Sequence, residues 1–142
     1  MELLTTSPKA MYLLDTRLEI LHEQSNEWLN EIAFWRDEVA FFYSLIVNKT
    51  LKVIPISAKD NIIKIENELI KITGGELDEL QEIVERHENF LCHLLETKNA
   101  NEEIYKEKHR ELANKFDQFE KHFKSLKKDV FALVKLIDKS VK

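Results

Sequence analysis

Two glycines and two prolines in 142 residues leave the chain almost nowhere to reverse direction, so whatever it folds into is built from long uninterrupted elements. Strand-rich sandwiches and dinucleotide-binding α/β domains need frequent turn residues, and this scarcity argues against both. The remaining composition suits helices: 44% of residues are hydrophobic, 33% are charged, and Leu, Ile, Glu and Lys dominate. Apolar residues recur at helical spacing through three stretches, about 10–49, 58–97 and 102–140, separated by Thr50–Ser57 and by Lys98–Asn101. Three helices of about 40 residues each span about 60 Å at 1.5 Å per residue. Their matched lengths predict a single 1–142 domain folded as an antiparallel up-down-up three-helix bundle. Ser57 and Asn101 are the expected N-caps of the second and third helices.

In the first stretch Trp28, Ile32, Phe34, Trp35, Val39, Phe41, Phe42, Leu45 and Ile46 share one broad arc, the expected core face. That arc is wider than two neighbouring helices cover, which predicts self-association as a dimer with Trp28, Phe34 and Phe41 as contact residues. In the last stretch Leu112, Phe116, Phe119, Phe123, Leu126, Val130, Leu133, Val134 and Ile137 form a narrower stripe at coiled-coil-like spacing. The middle stretch contains Gly74-Gly75. Ile62, Ile65, Leu69 and Ile72 before the pair share an arc with Leu80, Ile83, Val84, Phe90, Leu91 and Leu94 after it, so one helix is expected, kinked at the glycines. The alternative is a four-helix bundle broken there.

The run Trp28-Leu29-Asn30-Glu31-Ile32-Ala33-Phe34-Trp35-Arg36-Asp37-Glu38, followed by Phe41-Phe42, resembles the first helix of an uncharacterised bacterial family of small all-helical proteins. Ile65-Glu66-Asn67-Glu68-Leu69-Ile70 and Leu77-Asp78-Glu79-Leu80 are loosely similar to that family's second helix, and the glycine pair departs from it. The resemblance implies an all-helical fold and brings no activity with it.

Glu27, Glu31 and Glu38 fall inside the aromatic arc, and Glu66 inside that of the second helix, close in height to Glu38. Carboxylates so placed need a partner, a metal or a proton. Glu31, Glu38 and Glu66 with His87 would be the ligands of a metal-binding bundle, the alternative function. A di-metal carboxylate centre, however, needs two Glu-x-x-His pairs, and only Glu19–His22 has the spacing. Pairing with Lys127 is the plainer expectation, with Glu38 and Glu66 sharing a proton as the variant of it. His22, His87 and His109 lie at similar heights on three helices, but only His87 faces clearly inward, His109 being at the edge of its stripe. Cys92 lies off the core arc with His93 pointing away from it, poor geometry for a nucleophile and base, and phosphate-binding glycine loops are absent. No catalytic residue and no cofactor is expected.

Charge is uneven along the chain, about −3 over 1–57, −5 over 58–100 and +3 over 101–142, for a net −5. Lys121, Lys124, Lys128, Lys135 and Lys139 form part of a basic strip on the third helix. Without interleaved aromatics, and with a sequence pI near 5.6, the strip suits a protein partner better than nucleic acid. The lone Cys92, the absence of a leader pattern at Met1–Tyr12 and the lack of an 18-residue uncharged run predict a cytoplasmic protein without a membrane span. The expected function is non-enzymatic: a helical bundle presenting a rod-like surface to a protein partner or to itself, with neither a membrane nor a small-molecule substrate.

Overall fold

The computed structural model describes residues 8–50, 56–97 and 102–141, with side chains over 18–49, 56–96 and 102–139, and every described residue is helical. Helix α1 is Pro8–Thr50, opening on a proline whose missing N–H costs nothing in a first turn. Helix α2 (Ile56–Lys71) runs through a π-helical turn, Ile72–Glu76, directly into α3 (Leu77–Thr97). Helix α4 is Glu102–Val141. The middle rod is therefore one continuous element, and the fold is an all-α three-helix bundle. Ser57 lies inside the first turn of α2 rather than before it, and Asn101 falls outside the described residues.

Side-chain pairs fix the directions. Gln24 meets His109, Glu38 meets Lys127 and Lys49 meets Asp138, so α1 and α4 run parallel. Arg36 meets Asp78 and Gln81 while His22 meets Glu88, and His87 meets His109 while Glu68 meets His122, so the middle rod is antiparallel to both. Each rod packs against the other two.

Burial follows alternating steps of three and four residues. On α1 the buried positions are Leu18, Ser25, Trp28, Ile32, Trp35, Val39, Phe42 and Ile46. On α4 they run without a break from Tyr105 through His109, Leu112, Phe116, Phe119, Phe123, Leu126, Val130 and Leu133 to Ile137. This stripe is narrower than the expected arc of α1: Phe34 and Phe41 are 61% and 59% exposed, because an alternating three-four step follows one seam and leaves residues two beyond it outside. Trp28, Trp35 and Phe42, spaced by seven, form with Phe116, Phe119 and Phe123 an aromatic seam between α1 and α4. Ring centroids there lie 4.7 Å apart for Trp35–Phe119 and 4.9 Å for Trp28–Phe116.

The middle rod keeps the same rhythm on each side of the glycines but slips between them. Ala58, Ile62, Ile65, Leu69 and Ile72 are buried, and then Leu77, Leu80, Val84, His87, Leu91 and Leu94. The step from Ile72 to Leu77 is one residue too long for an α-helix to keep both on the seam. The π turn absorbs that residue: Leu77 N–H donates to Ile72 C=O, five residues back. The uninterrupted phase expected across Gly74-Gly75 is thereby corrected to a one-residue slip, and Ile83 and Phe90 are only partly buried as a result.

Candidate functional site: a histidine pair in the core

One layer of the core is polar. The three-four rhythm places Ser25, His87 and His109 at core positions, where the layers on either side hold apolar residues. His87 and His109 are 6% and 5% exposed, and their rings meet through His87 Nε2 and His109 Nδ1 at 2.9 Å. His109 Nε2 lies 2.8 Å from Gln24 Oε1. Because the Gln24 oxygen can only accept, His109 donates from Nε2, its Nδ1 accepts, and His87 must donate from Nε2. That order leaves His87 Nδ1 as an acceptor. The pair is enclosed by rings: Tyr105 lies flat on His87, centroids 4.3 Å apart and planes 3° from parallel, and Trp28 stacks on His109 at 4.6 Å.

Electrostatics keep both imidazoles neutral. Burial, then His109 and Lys108, lower the His87 pKa to about 4, and burial lowers that of His109 to about 4. Burial also raises the Tyr105 phenol well above its ordinary value, reinforced by the charge of Glu88 and opposed by the nearby Ser25 hydroxyl. Neither hydroxyl completes a hydrogen bond of good geometry, and Glu88 Oε2 is likewise buried without a partner while its Oε1 meets His22. Buried polar atoms left unmatched are uncommon in native cores, and several converge here. Among the described residues, no hydrogen bond joins the Ser25 or Tyr105 hydroxyl to either imidazole.

Other candidate residues are placed differently from expectation. Trp28 is not a surface contact, since it is sandwiched between His109 and Phe116. Glu31 and Glu27 are exposed rather than inward. Partial desolvation, and then the charges of Glu120 and Glu27, raise the Glu31 carboxyl above its ordinary value. Glu38 is partly buried and paired with Lys127 at 3.1 Å, and Lys127 also lies 5.1 Å from the Phe123 ring. The structure records no hydrogen bond from Glu66 to Glu38, so it gives no shared proton. The four residues of the metal alternative are thus not gathered: His87 lies in the histidine layer, far along the rods from Glu38. Among the described residues no three metal-ligating side chains converge. His109, expected at the edge of its stripe, is fully in the core. The signal for it is the seam itself, which continues back from Leu112 to His109 and Tyr105 by the same steps.

The surface residues stay outside. Phe41 and Phe131 (48% exposed) flank Phe42, which lies 5.7 Å from Phe41 and 5.6 Å from Phe131, and Phe34 precedes Phe41 by seven residues on the same face of α1. Lys121, Lys124, Lys128, Lys135 and Lys139 are exposed along α4, Lys121 facing Asp117 at 3.2 Å. Among the described residues no helix is long and apolar enough to cross a membrane. No family model, curated protein or solved structure matches this chain.

Proposed function

We propose that the protein is a non-enzymatic, cytoplasmic coiled-coil interaction protein that works as a dimer through the outer face shared by α1 and α4. The observation that supports this reading is the set of exposed rings on this face: Phe41 and Phe131, joined through Phe42, with Phe34 two turns before Phe41 on α1. Phenyl groups exposed side by side are costly in water and usually mark an interface. Charge supports a second copy as the occupant. By helical spacing Glu27, Glu31 and Asp37 border the patch on α1, while Lys124, Lys128 and Lys135 border it on α4. A two-fold axis along the bundle would set α1 of each copy against α4 of the other, covering both aromatic edges and opposing the charges.

Sedimentation velocity tests it. The wild type is expected to sediment as a dimer at micromolar concentration, and Phe34→Ser/Phe41→Ser as a folded monomer. A wild-type monomer at high concentration, or a double variant that associates equally well, would overturn the reading.

A further inference from the structure

A groove of about 280 Å³ lies between α3 and α4 immediately beside the histidine layer. Ile83, Phe90 and Leu112 supply its apolar walls, and His87 lines it from within the core. Its rim is basic: Arg86, Lys108 and Lys115 stand against Glu111 alone, a local reversal on a chain of net charge −5. Arg86 is already engaged by Glu82 at 2.6 Å. Lys108 and Lys115, two turns apart on α4, make no ion pair among the described residues, which leaves two ammonium groups above an apolar slot. His87 adds a second kind of contact. Its Nε2 is committed to His109, which leaves Nδ1 as the acceptor on a ring that lines the groove.

We propose that this groove binds a small organic monoanion: a carboxylate on a flat or branched apolar body that also carries one hydrogen-bond donor. The two lysines take the carboxylate, the walls take the body, and the donor meets His87 Nδ1. Size excludes a nucleotide, since the cavity lies at the lower limit of small-ligand pockets. Glu111, between the two lysines in sequence, disfavours a doubly charged phosphate ester. An uncharged apolar guest would gain nothing from the two lysines and would cover the imidazole lone pair without supplying a donor, so it should bind more weakly.

The site is separate from the aromatic face and does not rest on the dimer reading. The experiment is a titration of the isotopically labelled full-length protein with 4-hydroxybenzoate at about pH 7.5, followed by amide chemical shifts. Saturable shifts at Ile83, His87, Phe90 and Leu112 are expected. Benzoate, which lacks the donor, and 4-hydroxybenzyl alcohol, which lacks the charge, should each bind about tenfold more weakly. Lys108→Gln/Lys115→Gln exchanges two exposed side chains and should keep the unliganded spectrum while losing about tenfold in affinity for 4-hydroxybenzoate. Non-saturating shifts, shifts centred elsewhere, equal affinity for the three compounds, or undiminished binding by the lysine variant would each overturn the proposal. Repeating the titration on Phe34→Ser/Phe41→Ser separates the two ideas, because binding there should match the wild type whatever its state of association.

Discussion

Neither imidazole of the His87–His109 pair can take up a proton without placing a charge among Trp28, Tyr105 and the partner ring. In the unfolded chain both titrate near 6.5, and in the folded protein near 4. The neutral form is therefore the folded form: the pair's contribution is complete above pH 6.5 and is lost as pH falls toward 4. Each group separately would carry about 3 kcal/mol across that window, and the pair less than twice that because the two are coupled. Chemical denaturation of the wild type should weaken steeply over this range, and His87→Leu/His109→Leu should flatten the fall; parallel pH profiles would contradict the assignment. Glu38 gives a smaller expectation. Its pair with Lys127 is partly open to water, so Glu38→Gln should cost about 1 kcal/mol or less in thermal melts. The Lys127 partnership was legible from helical height, whereas the inward reading of Glu31 was not sound. An arc drawn at 100° per residue spreads wider than a seam stepping by three and four, and it swept Glu31 and Phe34 inside. The same seam, extended three residues back from Leu112, would have brought His109 in.

At the level of the element, the middle rod carries one residue more than its seam can use. Deleting Gly75 shortens the Ile72–Leu77 step to four, so the shortened protein should remain folded, with an unbroken α-helix and a melting temperature at or above wild type. Deleting Lys64 instead rotates the upstream seam by about 100° against the rest and should abolish cooperative melting. Equal damage from the two deletions would show that the π turn does not serve to correct phase. Neither glycine has a positive φ or any neighbour that a methyl group would meet within 4 Å, so Ala at either position should stabilise by about 1 kcal/mol or less. The continuity of this rod was readable from shared apolar positions. The slip was hidden because Ile72 and Leu80 still fall within one broad arc, and only the five-residue step from Ile72 to Leu77 exposes it.

Across the whole molecule, three rods of about 60 Å meet along seams that repeat every seven residues. Such a pattern specifies which faces meet but hardly specifies where along their length. Sliding α4 along α1 by seven residues, about 10 Å, would again lay a phenyl ring against two of the three, Trp28 and Trp35 in one direction or Trp35 and Phe42 in the other. The chain Gln24–His109–His87 has no such second solution. It closes in one alignment, and any other strands the two imidazoles in a dry interior. The polar layer thus serves as an axial stop that trades some stability for a single alignment of the rods. His87→Leu/His109→Leu should keep its helical circular dichroism while its amide spectrum broadens or doubles, and one sharp set of resonances would refute the idea.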